Sequence, residues 1–465
     1  MELLAAAFII WLSWVLAVFA RQPPSDPNIH ILFDDFFQSY WKDSNWKGAS
    51  SWTGDSASNL MVNYLTTLEH NDHRHKVDDI FIKIVSRSLN QWTLLQYLTQ
   101  GYDDFGWTVF CLLEMLRYSY QYEERYPDSI VIDRLPILRK RFAFRAAFLH
   151  DAMKDSWSTE LCGGGAEWKV RARRLSLWPS LDFSGIYKNS ITNHLYNSNN
   201  AQIYNASSGQ PRPYEINELS LHYLRLMLKL IRPVLGWPRA QFQYFNFTDT
   251  DLIYRTIEGI KWMEQAHLLT NESLYIDGQR LRFTQDTPNE RPKLSCDASV
   301  KTLYTYNQVA GIRALRYLSL ATSDSKPISQ GHQAIQNLIS STYNGRLGSN
   351  GILEDICDRF GNCTQDMQIF KGLPFLDIKN YCEPIEWANK EVQASHRKHC
   401  SSYRGWINGN AAAAYATVDQ SGKFGGYWGL NSTESNEMTQ KQSIETQVAG
   451  LSVLLTSSWF NKKFS

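Results

Sequence analysis

The segment Gly101-Tyr102-Asp103-Asp104-Phe105-Gly106-Trp107 opens the stretch of sequence that decides the fold. From Asp103 to Tyr120, apolar residues recur at every third or fourth position, which is the spacing of a helix with one buried face. The same spacing predicts further helices at Ser58–Leu68, Val77–Thr99, Leu135–Met153, Glu215–Leu235, Thr248–Leu269, Val300–Leu320, Ile328–Tyr343, Asp366–Lys379, Asn408–Val418 and Ser443–Trp459, with a short one at Asn189–Leu195.

Strand patterns are few, and Ser273–Phe283, with Asp277-Gly278 as its turn, is the plausible hairpin. About twelve helices without a Pro- or Ser-rich linker predict an all-α chain with a single domain. Such a set most naturally closes as six helical hairpins, an (α/α)6 barrel whose inner helices bury both faces. We expect a functional site where the ends of the inner helices and their loops converge.

The composition is that of an ordinary globular protein, because 43% of the 465 residues are apolar and 20% are charged. These values exclude a disordered chain, a collagen and a protein with many membrane spans. The formal net charge of +1 argues against nucleic-acid binding, which needs clustered Lys and Arg. Aromatic residues make up 13%. Many of them must fill the core, but Trp and Tyr rings also suit a sugar-binding cleft, where they stack on the apolar faces of sugars.

The N-terminal segment is apolar from Leu3 to Ala20 except for Ser13, and Arg21-Gln22-Pro23-Pro24 follows it. This pattern predicts a signal peptide over residues 1–20. The alternative is an uncleaved signal anchor, because the run just reaches the length of a membrane span. Without that anchor we expect no stable membrane span. Residues 21–40 are then a lead-in to a helical domain over 41–465, and we expect a monomer that is secreted or held in a cell wall.

The glycosylation sequons and the cysteines are typical of a protein that passes through the secretory pathway. Glycosylation sequons occur at Asn205, Asn246, Asn271, Asn362 and Asn431. Two cysteine pairs, Cys357 with Cys363 and Cys382 with Cys400, are spaced as disulfides that staple loops. The other three cysteines are Cys111, Cys162 and Cys296, an odd number, so their pairing stays open.

Three pairs of adjacent aspartates are candidates for acid–base chemistry, which needs two carboxyl groups at one centre. Asp34-Asp35 and Asp78-Asp79 suit helix N-termini, where carboxylates meet the positive end of the helix dipole. Asp103-Asp104 differs because Gly101 and Gly106 flank it and would let the backbone approach a ligand. Aromatic rings also frame this pair, namely Tyr97, Tyr102, Phe105 and Trp107.

A metal centre is another candidate, because His70, His73 and His75 lie close together in a polar connector. No carboxylate or thiol completes a known zinc pattern around them, and a solvated loop explains them. We therefore expect no metal ion and no cofactor.

Several separated motifs, taken together, resemble those of glycoside hydrolase family 76, the endo-α-1,6-mannanases. They are Tyr102–Trp107, Cys162–Trp168 with its triple glycine, Tyr187–Asn193, Tyr304–Gln308 and Phe370-Lys371-Gly372. They occur in the family's order, and the resemblance covers residues 40–460. The chain departs from the family pattern at Val309, where glycine is common, and after Gly372, where an arginine commonly follows.

The resemblance implies an (α/α)6 barrel that hydrolyses α-1,6-mannosidic bonds in mannan with retention of configuration. By this resemblance Asp103 is the nucleophile and Asp104 the general acid/base, so their environments must push the two pKa values apart. The matching residues expected to bind substrate are Tyr102, Trp107, Gly163, Gly164, Gly165, Trp168, Asn189, Ser190, Asn193, Tyr304, Tyr306, Asn307, Gln308 and Lys371. Structural roles stay open for them, such as a tight turn for the glycines, a helix cap for the asparagines and core filling for the tryptophans.

Two other functions stay open. A cell-wall transglycosidase would form the same covalent intermediate but pass the mannose-containing glycan to a hydroxyl of wall glucan instead of water. Against membrane attachment of such an enzyme, Ser457–Ser465 lacks the hydrophobic end of a lipid-anchor signal. A catalytically silent mannan-binding wall protein would not need two adjacent acids in a cleft.

Overall fold

The structure is a computed structural model, and it describes residues 26–68, 74–90, 101–154, 156–159, 162–168, 187–208, 250–284, 293–429 and 442–465. Several sequence predictions lie outside these residues. They concern the signal peptide at 1–20, His70 and His73, Tyr97, the helix Glu215–Leu235, and the sequons at Asn246 and Asn431.

The described chain is predominantly helical, as predicted. Its α-helices are α1 (Asp26–Tyr40), α2 (Ser51–Thr67), α3 (Arg74–Asn90), α4 (Tyr102–Arg125), α5 (Leu135–Lys154), α6 (Ser190–Ser208), α7 (Thr250–Gln265), α8 (Ile312–Thr322), α9 (Lys326–Ser341), α10 (Ile356–Phe360), α11 (Leu373–Tyr381), α12 (Lys390–Ala416) and α13 (Ile444–Lys463). Short 3-10 helices cover Ile132–Arg134, Thr305–Gln308 and Asp366–Gly372. The strands are β1 (Trp41–Lys42), β2 (Asn45–Trp46), β3 (Tyr187–Asn189), β4 (Ile276–Thr284), β5 (Lys293–Leu303), β6 (Gly348–Ser349) and β7 (Ile352–Leu353).

Within the described residues, a series of helix contacts closes on itself. α2 packs on α4, α4 on α6, α6 on α8, α8 on α11, α11 on α13, and α13 back on α2. The other long helices pack against members of this ring: α1 and α12 on α13, α3 on α2 and α4, α5 on α4, α7 on α6, and α9 on α8. We call the closed series the helix ring.

Helix α13 of the ring and helix α9 outside it differ in how much of their surface is buried. In α13 every residue from Ile444 to Ser457 is buried. Small residues make this possible, since a Cβ atom on Gly450 would lie 2.2 Å from Cδ1 of Phe424. In contrast, α9 buries a single stripe that includes Ile328, Ile335 and Leu338. The N-terminal two thirds of α13 are therefore covered on all sides, whereas α9 is amphipathic.

The predicted hairpin over Ser273–Phe283 is wrong in detail. Residues Ile276–Thr284 form one strand, β4, which pairs with β3 and β5 in an antiparallel sheet and contains Asp277-Gly278 in its interior. Gly278 is there for close packing, because a Cβ atom on it would lie 2.5 Å from the carbonyl oxygen of Lys188 in β3. The predicted helix Val300–Leu320 also begins as strand, since β5 continues to Leu303.

The residues before position 41 are more than a lead-in, because Asp26–Tyr40 forms α1 and packs on α13. Asp34 and Asp35 therefore lie in the middle of a helix and do not cap one. Asp34 instead pairs with Lys76 of α3. Asp78 lies in the second turn of α3, where it is buried and accepts a hydrogen bond from Tyr122.

Three disulfides connect described residues. Cys357–Cys363 and Cys382–Cys400 are the two predicted pairs, and Cys162–Cys296 resolves one of the open pairings. Cys111 is a buried free thiol. Because disulfides persist in oxidising compartments, the three bonds fit a secreted protein.

The described sequons differ in access. Asn271 and Asn362 are exposed. Asn205 is half-buried in α6, and its side-chain amide donates hydrogen bonds of 2.8 Å to the carbonyl oxygens of Ala201 and Tyr317. Glycosylation of Asn205 would replace one of the two Nδ2 hydrogens and so remove at least one of these bonds. Among the helices that the structure describes, none has the length and apolar character of a membrane span.

Candidate active site

A groove of about 960 Å³ opens at one end of the helix ring, where α2 and α4 begin. Seven of the residues that line it are aromatic, namely Trp52, Trp107, Trp168, Tyr187, Tyr304, Tyr306 and Phe370. Its acidic side chains are Asp43, Asp103, Asp104, Asp277 and Asp366. The groove therefore combines flat apolar surfaces with carboxyl groups.

Asp103 and Asp104 occupy the first turn of α4, and both line the groove half-buried. Asp103 Oδ2 accepts a hydrogen bond of 3.0 Å from Trp168 Nε1, and its Oδ1 accepts one of 3.1 Å from the backbone amide of Asp104. Asp104 Oδ2 accepts a bond of 2.8 Å from the backbone amide of Gly101. Asp104 thus caps α4 and faces the groove at the same time.

The two glycines around the pair have different roles. A Cβ atom on Gly101 would lie 2.3 Å from Asp103 Oδ1 and 3.1 Å from Trp168 Nε1, so glycine leaves room for this hydrogen bond. A Cβ atom on Gly106 would instead lie 2.8 Å from Cβ of Leu195 in α6. Gly106 therefore permits close packing of two ring helices, and the expectation that it lets a ligand approach is wrong.

The electrostatics of the pair follow from its position. Burial, and next the negative charge of Asp104, raise the pKa of Asp103 well above its ordinary value. Hydrogen bonds from Trp168 and from backbone amides act in the opposite direction by stabilising the carboxylate. When two adjacent carboxyl groups repel each other's charge, the pair keeps one proton over a wide pH range.

The triple glycine shapes a loop and does not line the groove. Gly163, Gly164 and Gly165 have φ values of +67°, +147° and +90°, which side chains rarely adopt. Cβ atoms on Gly164 and Gly165 would lie 2.8 and 2.5 Å from the ring of Trp262. The glycines therefore fit the loop tightly around a tryptophan of α7.

This loop places Trp168 over the acid pair. It begins at Cys162, which is bonded to Cys296 in β5, and ends at Trp168. The backbone amide of Trp168 donates to the carbonyl of Tyr187 at 2.8 Å, and its carbonyl accepts from the amide of Tyr102 at 2.7 Å. The loop is thus tied to β3 on one side and to the start of α4 on the other.

Several predicted binding residues support the site from behind. Asn193 holds the loop, because its Oδ1 accepts from the amide of Ala166 at 2.7 Å and its Nδ2 donates to the carbonyl of the same residue at 3.0 Å. Ser190 donates to the carbonyl of Ile276 at 2.6 Å. Gln308 bonds to both backbone groups of Tyr275. Their side chains are buried and used by the protein itself.

Lys371 also lies away from the acid pair. Its side chain is 1% exposed and pairs at 2.5 Å with Asp358, whose side chain is also buried. The neighbouring Phe370 lines the groove instead and stacks on Tyr306 at a ring-centroid distance of 4.1 Å. Of the predicted set, Asp103, Asp104, Trp107, Trp168, Asn189, Tyr304 and Tyr306 line the groove.

A third carboxyl group of the groove, Asp277, is not among the residues predicted from the sequence. It lines the groove, accepts a hydrogen bond from Tyr187, and is 3.5 Å from Asn307 Nδ2. Burial raises its pKa. Asp-Gly is a common turn sequence. No local pattern shows that Asp277 instead lies near the start of a strand and faces a groove. No sequence pattern predicts Trp52 and Asp366 as groove residues either, because only the fold brings them there.

One group among the described residues has the spacing of metal ligands, namely His332, His396 and Cys400. Cys400 forms a disulfide with Cys382, so its sulfur cannot serve as a thiolate ligand.

Solved structures of known proteins resemble the fold of this chain. No protein-family model matches the chain, and a search of curated proteins finds no match. Among solved structures, the α-1,6-mannanase GH76A of Salegentibacter sp. HEL1_6, as an inactive variant with two consecutive aspartates changed to asparagine and bound to α-1,6-mannotriose, matches with a TM-score of 0.58 at 14% identity. The match covers 93% of this chain and 98% of that one.

Two further structures agree. Dfg5 from Chaetomium thermophilum, in complex with glucosamine, matches with a TM-score of 0.61 at 14% identity over 95% of this chain and 92% of that one. The family 76 α-mannanase BT2949 of Bacteroides thetaiotaomicron matches with a TM-score of 0.54 at 12% identity over 93% and 95%. The chain therefore has the fold of the family 76 glycoside hydrolases along nearly its whole length.

Proposed function

We propose that this chain is a secreted glycoside hydrolase that cleaves α-1,6-mannosidic bonds in mannan. The observation that carries the proposal is the position of Asp103 and Asp104, side by side at a helix start in an aromatic groove. The similar Salegentibacter mannanase is inactive when two consecutive aspartates are replaced. Its complex with a mannotriose supports the same class of substrate here.

The proposed reaction uses both carboxyl groups in two steps with net retention. Asp103 attacks the anomeric carbon while Asp104 donates its proton to the departing glycosidic oxygen. Water then attacks the mannosyl ester of Asp103, and Asp104 takes up a proton from that water. These roles need an ionised Asp103, and its two hydrogen bonds favour that state because they oppose the rise in its pKa that burial and the charge of Asp104 cause.

The remaining groove residues would hold the sugar chain. Trp107 lies against Trp52 with a centroid distance of 5.8 Å, and Tyr306 against Phe370. Such fixed rings offer flat surfaces for the apolar faces of mannose units. We also propose that the helix ring is the inner layer of an (α/α)6 barrel and that residues 41–465 form one domain, with α1 packed against it.

The first prediction tests the acid pair. Asp103→Asn and Asp104→Asn each remove one reacting carboxyl group, so we expect a loss of mannan cleavage on the order of a thousandfold or more. Release of reducing ends from α-1,6-mannan measures it, with circular dichroism as the check of folding. The matched control is Asp35→Asn, an exposed aspartate of α1 that should keep wild-type activity. Near wild-type turnover of either groove variant would refute the assignment.

The alternative is a transglycosidase that moves mannose-containing glycans onto wall glucan. The same protein incubated with a mannan donor and a glucan acceptor separates the two reactions by product mass. Reducing ends alone indicate hydrolysis, and a mannose–glucan adduct indicates transfer. A chain that binds mannan but forms neither product would be a silent binding protein.

A further inference from the structure

A second cavity, of about 470 Å³, lies at the opposite end of the helix ring. Thr66 lines it at the end of α2, and Gln121 and Arg125 line it at the end of α4. These helices begin at the candidate active site, and α2 has 17 residues, so the two cavities are separated by about 25 Å. We call this space the distal cavity.

The charged side chains of the distal cavity are largely used by the protein itself. Arg125 donates at 2.7 Å to the carbonyl oxygen of Thr66, which is one of the free carbonyls at the end of α2. Lys379 donates to Asn63 and Asn380 at 3.2 and 3.3 Å. Glu383 accepts two bonds from Arg117, at 3.1 and 3.0 Å. Arg125 and Lys379 thus donate to oxygen atoms of the protein itself, and neither needs an anionic ligand.

The wall of the distal cavity also contains aromatic and neutral side chains. Trp387 and Trp459 are half-buried in the wall of the cavity. Trp387 Nε1 and Gln121 Oε1 are buried and have no hydrogen-bond partner among the described residues. Arg316 lies 5.0 Å from the centre of the Trp387 ring and Lys379 lies 5.7 Å from that of Trp459, which holds both rings in place. The cavity wall therefore offers two fixed aromatic surfaces, and a polar atom without a hydrogen-bond partner lies buried in each of two lining residues.

We propose that the distal cavity is a second, non-catalytic binding site for a neutral saccharide. A pyranose has apolar C–H faces that suit tryptophan rings and hydroxyl groups that both donate and accept hydrogen bonds. The volume suits one or two sugar units. The identity of the sugar rests on the proposed function: it is a unit of the α-1,6-mannan on which the enzyme acts. Binding there keeps a long chain attached between successive cleavages.

The test compares the intact protein with Trp387→Ala/Trp459→Ala. Migration through gels that contain increasing α-1,6-mannan measures binding of the long chain, and hydrolysis of soluble α-1,6-mannotetraose measures the active site. We expect mannan binding to weaken about tenfold, because two stacking surfaces are lost, while tetraose hydrolysis stays within about twofold of wild type. The matched control is Tyr343→Ala, an aromatic residue that is 64% exposed and lines neither cavity.

A second set of variants guards against a folding defect in the double tryptophan variant. Glu386 and Gln121 both line the distal cavity, and Glu386→Lys and Gln121→Leu change its wall without removing a ring. We expect each variant to weaken mannan binding with tetraose hydrolysis unchanged. Unaltered mannan binding in all of these variants would overturn the proposal. Failure of the wild-type protein to hydrolyse α-1,6-mannan would instead overturn the proposed function, and retention in the gel that depends on the tryptophans would then still support a saccharide site.

Discussion

At the residue scale, Trp168 connects the loop that begins at Cys162 to Asp103, the proposed nucleophile. Its indole N–H donates to Asp103, while its backbone is bonded to Tyr187 and Tyr102. A hydrogen bond to a carboxylate favours the charged form, and this bond opposes the rise in the pKa of Asp103 that burial causes. In the proposed mechanism Asp103 must be ionised, so Trp168 positions and tunes the nucleophile.

A prediction at this scale concerns Trp168→Phe. The variant keeps an aromatic ring against Tyr187 but loses the N–H donor, so the pKa of Asp103 should rise further. We expect the acidic limb of the kcat/KM profile to move to higher pH and kcat/KM to fall about 10- to 100-fold. The control is Trp107→Phe, a groove residue whose loss should not move the pH profile. An unshifted acidic limb in Trp168→Phe would contradict the tuning role.

At the scale of elements, the glycine loop shows how backbone conformation serves the site. Gly165 has φ +90° and no room for a Cβ atom beside Trp262, whereas Gly163 has φ +67° and a Cβ atom on it would meet nothing within 4 Å. Both glycines adopt a conformation that favours glycine, but only Gly165 is also packed tightly. The two positions therefore separate backbone strain from steric overlap.

The matching prediction compares Gly165→Ala with Gly163→Ala. We expect Gly163→Ala to lower the free energy of unfolding by about 1 kcal/mol and Gly165→Ala by about 3 kcal/mol or more, because overlap with Trp262 adds to the strain. Gly165→Ala should also lower activity, because the displaced loop carries Trp168. Urea unfolding and mannan hydrolysis check these effects. Equal losses in both variants would argue against a packing role.

A second element-scale feature is the buried cluster beneath the groove. Asp355 accepts hydrogen bonds of 2.8 and 2.7 Å from the amide and hydroxyl of Thr305, and so holds the turn that carries Tyr304 and Tyr306. Burial and the charge of Asp358 raise the pKa of Asp355 to about 7. The folded state therefore binds a proton at Asp355 more tightly than the unfolded chain does.

The sign of the resulting pH dependence is definite. The contribution of a raised carboxyl pKa is fully present below about pH 4 and is lost as the pH rises through about 7. We expect the free energy of unfolding of the wild type, relative to Asp355→Asn, to decrease over this window. Urea unfolding at several pH values measures the difference, with Asp35→Asn as control. A difference independent of pH would show that Asp355 does not titrate there.

At the scale of the whole molecule, the disulfides join parts of the chain that differ widely in separation. Cys162 and Cys296 are 134 residues apart, whereas Cys357 and Cys363 are 6 apart. The long link connects the loop of Trp168 with β5, the outer strand of the sheet formed by β3, β4 and β5. It is thus a covalent cross-link between the glycine loop and that sheet.

The corresponding prediction compares the loss of each disulfide. In the chain-entropy account, Cys162→Ser/Cys296→Ser should cost about 5 kcal/mol and Cys357→Ser/Cys363→Ser about 2 kcal/mol, because the longer loop restricts the unfolded chain more. Thermal and urea unfolding of the two double variants measure the difference. The long-range variant should also lose activity, since it frees the loop of Trp168. A larger loss from the short loop would contradict the entropic account.

Local patterns in the amino-acid sequence were enough to establish the helical class, the two short-range disulfides and the acid pair at the start of α4. Helical periodicity, cysteine spacing and adjacent aspartates are each read within one segment. Packing of distant segments established the closed order of the helix ring, the Cys162–Cys296 bond and the presence of Asp277 in the same groove as the acid pair. It also paired Lys371 with Asp358 and put Asp277-Gly278 inside a strand. The physical reason is that burial free energy gathered over the whole chain chooses among packings that local patterns leave equally open.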